Sequence, residues 1–409
     1  MEELKRQKLG GVAILMNKND VNIILGKIEP TNYVTEAFND EVCSFLDDLS
    51  KWLRHNKEAL AFPDLTTVAF WCRKANIEKM KNEFYDGKIH LGRGLLFHIA
   101  PSNVPVNFAF SFFFGLLSGN SNIVRVPSKN FPQVDILCEG INEILKNDDY
   151  INIRKNTQFI TYERNKEIND YYSEICDGRI IWGGDNTINS LRESKIKPKA
   201  VEVVFSDRYS FGVIQSEKIV SATTEELSEL VHKFYNDTYL MDQNACSTPH
   251  CIFWLGDKVE QASDLFWNMV KSKEENYDLE PIKSVDKYTD LCHIAMERND
   301  ISKIKTYGNF LYVARLQKIP ENIENLRGRY GLFFECKLNN LNELANSITE
   351  KSQTMAYYGI EKENLIDFVK TNNLNGIDRI VKFGNALDIG IIWDGYDIIR
   401  SLSRIVDIQ

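Results

Sequence analysis

The feature that most constrains this chain is a rhythm of short apolar runs separated by amphipathic segments. The runs at 95–99, 122–126, 158–161, 179–182, 201–205 and 211–214 are too short for core helices and read as strands. Between them, 107–117, 134–145 and 165–176 read as helical segments. Strands and helices alternating at this interval predict an α/β fold, a parallel sheet with helices on both faces. Two helices come first, at 35–55 (Phe38, Val42, Phe45, Leu49 and Trp52 on one face) and at about 65–84. A second alternating series follows, with helices at 224–239 and 262–273, strands at 251–255, 310–313, 331–335 and 354–358, and helices from 341 and 363. The lysine-rich stretch 271–287 reads as a surface excursion.

At about 150 residues per domain, 409 residues suggest two or three domains. The expected division is 1–218 and 219–389, with 390–409 returning to the first domain. A formal net charge of −9 removes the basic footprint of a dedicated nucleic-acid binder. Residues 1–6 mix charges and lack the apolar core of a secretory signal. The phenylalanine-rich stretch 95–117 is broken by His98, Pro101, Asn103, Pro105 and Asn107, so it does not read as a membrane span. Phe108, Phe110, Phe112, Phe113 and Phe114 read as packing of a buried helix rather than as a tunnel for a fatty chain. The eight cysteines (43, 72, 138, 176, 246, 251, 292 and 336) form no CxxC pair. That pattern suits reduced thiols in a cytoplasmic protein, with no disulfide framework.

Three segments carry polar groups suited to chemistry. Ile99-Ala100-Pro101-Ser102-Asn103-Val104-Pro105 follows a predicted strand, and two prolines fix the backbone around the Asn103 amide. A rigid amide is a good donor to an oxyanion, although a proline-rich turn whose Asn satisfies its own backbone explains the same residues. Gly119-Asn120 leads into a strand that ends in Arg125, followed by Ser128 and Lys129. Those groups suit a phosphate or ribose, or simply a solvated strand end. Gly183-Gly184 follows another strand and opens a helix, where glycines let a pyrophosphate approach the first amides, though no GxGxxG fingerprint occurs. In Asp242-Gln243-Asn244-Ala245-Cys246-Ser247-Thr248-Pro249, Cys246 lies between elements among small and polar residues. A loop thiol there can be an exposed nucleophile or a buried loop cysteine. Cys246, His250 and Cys251 lack paired ligands elsewhere at zinc spacing, so no metal site is expected.

In this order, PSNxP, GNxxxxR, a Gly-Gly turn and Gln-x-x-Cys resemble the aldehyde dehydrogenase superfamily, and within it the LuxC-like acyl-CoA reductases (fatty acid reductases). Residues 180–185, 242–247, 378–388 and 393–395 add to the likeness, which runs from about Gly92 to the end. It implies an aldehyde dehydrogenase-like fold, with a Rossmann-type cofactor domain and a second α/β catalytic domain carrying Cys246. Cys246 would hold the acyl group as a thioester, and Asn103 with the Cys246 N–H would form the oxyanion hole. Ile99, Ala100, Pro101, Ser102, Arg125, Ser128, Lys129, Gly183 and Gly184 would bind the cofactor. Arg125 stands where the superfamily has a ribose-contacting lysine. Ser128 replaces a glutamate that repels a 2′-phosphate, which favours NADPH over NADH.

Two departures matter. The stretch matching an ELGGK-like run reads Val203-Val204-Phe205-Ser206-Asp207-Arg208, without the glutamate that activates hydrolytic water; Glu202 is the nearest acid. Gly328-Arg329-Tyr330-Gly331-Leu332 likewise lacks a glutamate that contacts the nicotinamide ribose. The expected activity is NADPH-dependent reduction of an acyl-CoA or acyl-protein thioester to an aldehyde through Cys246. The resemblance also implies an acyl-protein synthetase partner and a homo-oligomer. The rival readings are an aldehyde dehydrogenase that makes acid and a non-catalytic acyl-carrying scaffold.

Overall fold

A computed structural model describes residues 20–26, 32–101 and 104–409. The chain forms two units, Met1–Ser206 with Gly390–Gln409, and Asp207–Ile389.

In the first unit, α1 (Asp40–His55) begins where the Asn39 side chain accepts from Val42 N. The segment read as one helix at 65–84 is two, α2 (Pro63–Trp71) and α3 (Lys74–Phe84), because Arg73 turns extended. The turn lets Trp71 pack on Phe110, Phe113 and Phe114 while Phe84, on the next helix, packs on Phe38.

The strands of this unit are β1 (Asn22–Gly26), β2 (Ile89–Gly92), β3 (Leu95–Ile99), β4 (Ser121–Arg125), β5 (Thr157–Thr161), β6 (Gly178–Trp182) and β7 (Val201–Phe205). All but β2 form one sheet in the order β1-β5-β4-β3-β6-β7, parallel except for β1 at its edge. Crossover helices α4 (Asn107–Leu117), α5 (Pro132–Leu145), α6 (Ile151–Lys155), α7 (Lys166–Ile175) and α8 (Asp185–Arg192) connect them. Strands β3 to β5 run to one side and β6 then returns to the other side of β3, so the winding reverses at β3.

Helix α4 is buried around nearly its whole circumference, which explains its five phenylalanines. Phe108 and Phe112 meet Phe159 of β5 edge-on, with centroids 5.7 and 5.0 Å apart. Gly119 (φ 82°) follows the helix, and Asn120 works as a structural bracket. Its Oδ1 accepts from Arg93 N (2.6 Å) and Gly94 N (3.1 Å), and its Nδ2 donates to the Leu402 carbonyl (2.9 Å).

The second unit is built on β8 (Tyr209–Gln215), β9 (Pro249–Leu255), β10 (Ile301–Tyr307), β11 (Leu311–Leu316), β12 (Leu332–Leu338), β13 (Ser352–Tyr358) and β14 (Arg379–Lys382). They form one sheet in the order β10-β11-β12-β9-β8-β13-β14, parallel except for the edge strand β10. Its helices are α9 (Ser216–Ser221), α10 (Thr224–Thr238), α11 (Val259–Lys271), α12 (Pro281–Glu297) and α13 (Lys362–Asn372). A capping box between Thr223 and Glu226 starts α10. Successive strand residues feed opposite faces, Phe211 and Phe253 to one core, Ile252 and Trp254 to the other.

Strand β8 pairs with β9 and β13, so residues 209–215 belong to the second sheet and not to the first unit. The stretch 271–287 is not simply a surface excursion, because α12 begins at Pro281 and the Lys287 side chain is fully buried. The turn expected as a helix from 341 is a 3₁₀ segment, Leu341–Ser347. Residues 390–409 group with the first unit. They hold the hairpin β15 (Ile392–Trp393) and β16 (Tyr396–Asp397), helix α14 (Ile398–Leu402), and β17 (Ser403–Val406), which pairs with β2.

Gly115 faces the β3–β4 pair. A Cβ there would lie 2.0 Å from Asn122 Oδ1 and 2.9 Å from the His98 ring. Gly115→Ala is therefore expected to lower unfolding free energy by about 2 kcal/mol despite better helix propensity, read as an earlier urea midpoint. An unchanged midpoint contradicts this packing.

Candidate active site

Each unit carries its own share of the expected chemistry. In the first, neighbouring strands β4, β3 and β6 end together, with Ile99 in register with Arg125 on one side and Ile181 on the other. The residues that follow are therefore gathered at one sheet edge: Ala100 and Pro101 after β3, Ser128 and Lys129 after β4, Gly183 and Gly184 after β6. Ile99 is buried, whereas Ser128, Lys129 and Gly184 are exposed. This edge lies where the winding reverses, the position at which open α/β sheets bind nucleotides. Ser102 and Asn103 lie outside the described residues.

The residues present fit a dinucleotide there. Gly184 caps α8, and a Cβ on it would meet nothing within 4 Å, so the approach to the first amides is open. Asn107 Oδ1 is buried without a hydrogen-bond donor at the start of α4, beside the loop after β3. Arg125 is half-buried. Its guanidinium lies over the Tyr162 ring (4.4 Å) and donates to the Tyr162 carbonyl (3.2 Å).

Under this edge runs a neutral polar chain that periodicity did not single out. Asn122 Nδ2 donates to the Asn120 carbonyl (2.7 Å), which turns Asn122 Oδ1 toward His98 Nε2 at 3.0 Å. Nε2 therefore carries the proton, and His98 Nδ1 accepts from the Ser111 hydroxyl (2.8 Å). Ser111 Oγ in turn accepts from Trp182 Nε1 (3.1 Å). The chain fixes the ends of β3 and β6 against α4.

Glu202, whose facing alternation alone left open, points to Arg179 and Arg192. Arg179 donates to its Oε2 from Nε (2.9 Å) and Nη2, and Arg192 Nε donates to Oε1 (2.8 Å). Burial alone would raise its carboxyl, but the hydrogen bonds from Arg192 and Arg179 hold it below the usual carboxylate range. A carboxylate so occupied is a poor base for water.

In the second unit, Cys246 lies in the loop between α10 and β9 and is exposed. Cys72, Cys138, Cys176, Cys251 and Cys336 are buried, and burial raises each of those thiols; Cys43 and Cys292 are half-buried. The backbone around Cys246 is held from several sides. Ser210 Oγ donates to the Cys246 carbonyl (2.7 Å) and accepts from Thr354 N (3.1 Å), joining the loop to β8 and β13. Thr248 N donates to the Ala245 carbonyl (3.0 Å), and Thr248 Oγ1 to the Asp237 carbonyl (2.9 Å).

Ahead of the cysteine, Asp242 and Gln243 both take left-handed conformations (φ 53° and 61°), which cost about 1 kcal/mol or more each. Gln243 is buried and offsets part of that cost. Its Oε1 accepts from Gly331 N (2.6 Å), and its Nε2 donates to the Leu332 carbonyl (3.1 Å). Asp242 is held by the Tyr277 hydroxyl and by Lys283 Nζ (3.1 Å). Gln243 was legible only as part of a motif; nothing in its spacing showed that the amide is a clamp.

His250 is buried, stacked on Tyr209, with Nδ1 2.9 Å from the Gly328 carbonyl. Burial lowers its pKa to about 4, so it is a neutral structural group. Asp237 is the reverse case. Burial pushes its carboxyl up to about 7 against the N–H donors of Gly384 (2.6 Å) and Ala386 (3.1 Å). It thereby ties the 384–386 turn to the end of α10. Among the described residues, no group of three or more His, Cys, Asp or Glu is placed to hold a metal, and no helix is long and apolar enough to cross a membrane.

His98, like His250, falls to about 4 through burial, and both belong to the fold as neutral rings. Their contribution to stability is complete above the unfolded value of 6.5 and is lost as pH falls from 6.5 towards 4. Over that window each loses about 3 kcal/mol. Imidazole NMR resonances of these two residues are expected to stay fixed between about pH 7.5 and 5.5. A ring at either position that titrates near 6.5 contradicts the assignment.

Comparison with known proteins agrees with this geometry. The model of the acyl-CoA reductase (LuxC) family matches residues 40–303. A long-chain acyl-protein thioester reductase from Vibrio harveyi is 21% identical over 329 residues, 77% of this chain. The chain spans 63% of the length of that relative. Aldehyde dehydrogenase 21 from Physcomitrella patens, solved with its reaction product succinate, superposes with a TM-score of 0.64 at 12% identity, over 90% of this chain and 85% of that one. An NADP-dependent glyceraldehyde-3-phosphate dehydrogenase from Bacillus halodurans, solved with NADP, gives 0.59 at 15% identity, over 90% and 85%. The fold is aldehyde dehydrogenase-like.

Proposed function

The chain belongs to the acyl-CoA reductase (LuxC) family, and on that premise we propose that it reduces an acyl thioester to an aldehyde through Cys246. The observation that carries this reading is the exposure of Cys246 on a loop whose backbone is pinned by buried hydrogen bonds. A nucleophile needs an accessible sulfur and a fixed approach, and the other cysteines lack that accessibility.

In this reading the Cys246 thiolate attacks the thioester carbonyl, and Asn103 is proposed as a donor to the oxyanion that forms. Collapse expels the donor thiol, which takes a proton, and leaves the acyl group on Cys246. A dinucleotide held by Ala100, Pro101, Gly183 and Gly184 would supply the hydride, and the Cys246 thioester that accepts it would become a thiohemiacetal alkoxide on sulfur. That species releases aldehyde and regenerates the Cys246 thiolate. Sulfur suits both halves, because it attacks as thiolate and leaves readily.

Ala100, Pro101, Gly183 and Gly184 are proposed to hold the dinucleotide at the sheet edge. Arg125, Ser128 and Lys129 are proposed to favour the 2′-phosphate, since no acidic side chain stands among those three positions. The engagement of Glu202 by two arginines disfavours the acid-forming alternative, because no base at that position frees the acyl group to water. The donor is proposed to be acyl-CoA or an acyl-protein, the latter supplied by a synthetase partner.

With acyl-CoAs of graded length, NADPH loss and aldehyde formation are expected in wild type, with a smaller rate for NADH. Cys246→Ala is expected to reduce aldehyde formation by roughly a thousandfold or more. Asn103→Ala is expected to lower kcat by about a hundredfold. Normal turnover by Cys246→Ala overturns the assignment, and aldehyde oxidation without CoA supports the acid-forming alternative.

A further inference from the structure

Helix α12 carries a lysine that the proposed reaction does not use. The Lys287 side chain is fully buried. Its ammonium donates to three backbone carbonyls, those of Asn309, Phe310 (2.9 Å) and Tyr330 (2.8 Å), and sits over the Tyr312 ring at 4.7 Å. A buried lysine without a carboxylate in hydrogen-bond contact is costly, and burial lowers its pKa to about 8. Apolar residues would fill the same space more cheaply, so its position calls for a reason.

The carbonyls it gathers supply one. Tyr330 and Gly331 form a left-handed pair (φ 57° and 92°), and the Tyr330 carbonyl projects from that turn to the ammonium. The same turn faces the second left-handed pair, Asp242 and Gln243. Gln243 Oε1 accepts from Gly331 N at 2.6 Å, Gln243 Nε2 donates to the Leu332 carbonyl at 3.1 Å, and Tyr330 N lies 3.5 Å from the Asp242 carbonyl. Three residues beyond Gln243 is Cys246. Asp242 is also bound by Lys283, one turn earlier on α12. Helix α12 therefore reaches the cysteine loop from two lysines, directly through Asp242 and indirectly through Tyr330, Gly331 and Gln243.

We infer that Lys287 is a positioning residue for the Cys246 loop, acting through the Tyr330 carbonyl and the Gln243 clamp. A turn of two left-handed residues, one of them a tyrosine, relaxes unless its carbonyls are held. Tyr312 N still holds the Gly331 carbonyl (2.9 Å), but without the ammonium the Tyr330 carbonyl loses its donor, and the peptide between Tyr330 and Gly331, whose N–H Gln243 clamps, is less fixed before Cys246. This inference rests on Cys246 being the reactive thiol, but its structural half does not.

The test uses the full chain with Lys287→Met, which keeps the apolar stem and removes the donors. Two readouts are taken. Iodoacetamide labelling, resolved by peptide, compares Cys246 with half-buried Cys292 on α12 itself. NADPH loss with one acyl-CoA gives kcat and KM. The expected result is a change in Cys246 labelling of about fivefold or more with Cys292 unchanged, and kcat lower by roughly tenfold with KM within about twofold. Wild-type labelling and kcat in folded Lys287→Met overturn the inference. So does a parallel rise at Cys292, which reports loss of the helix rather than of the clamp. If Lys287→Met does not fold, Gln243→Met takes its place, since it removes both amide contacts through which Lys287 is proposed to act and leaves the ammonium in place; wild-type labelling there also overturns the inference. If wild type consumes no NADPH or Cys246→Ala remains active, the proposed function fails, while the labelling comparison still decides whether Lys287 holds the loop.

Discussion

The two large sheets of this protein are parallel across their centres, and a parallel sheet must be covered on both faces. That constraint makes the central strands largely apolar; the polar side chains they do carry, such as His98, Asn122 and Arg179, are paired inside the fold, and polar groups open to a ligand lie at the strand ends and in the connecting loops. In the first unit the ends of β4, β3 and β6 gather the segments that the sequence marked as cofactor-binding. In the second, the loop entering β9 carries Cys246, and its neighbours at the same end, Ser210 of β8 and Thr354 of β13, fix its backbone. Helix α4 shows the same constraint from the other side, because a helix buried all round has to be nearly all apolar.

What was legible in the sequence follows from this. Strands β3 and β7 and helix α4 have the predicted bounds, since each is a mostly apolar run, interrupted only by His98, by Glu202 and by Ser111, between polar turns. Edge strand β10 was missed because its exposed lysines and isoleucine give it no clean alternation. The break between α2 and α3 was missed because no glycine or proline marks it. Strand β8 was placed on the wrong side of the domain division because a strand's sheet is decided by its partners, which lie at 249–255 and 352–358.

The site was legible to the extent that its groups are local. The Cys246 loop shows itself by small and polar residues between two strong elements, and the Gly-Gly turn by its place after a strand. Asp237 holding the 384–386 turn, Gln243 clamping 331–332 and Glu202 bound by Arg179 and Arg192 join distant positions. A single sequence records such residues only as polar letters on helices, loops or strands. The clearest case is Lys287, which composition reads as solvated surface and the fold buries completely.

These long-range polar contacts share one physical role. A buried polar group stabilises little on balance when satisfied and destabilises strongly when one partner is lost. It therefore does less for stability than for selecting one geometry among near-equals. With residues 242 and 243 left-handed, the Gln243 amide meets Gly331 N and the Leu332 carbonyl together. The strain of that turn and the hydrogen bonds that hold it are two aspects of one selection. Around the exposed Cys246, such selection leaves the thiol accessible while the backbone that carries it is held in one conformation.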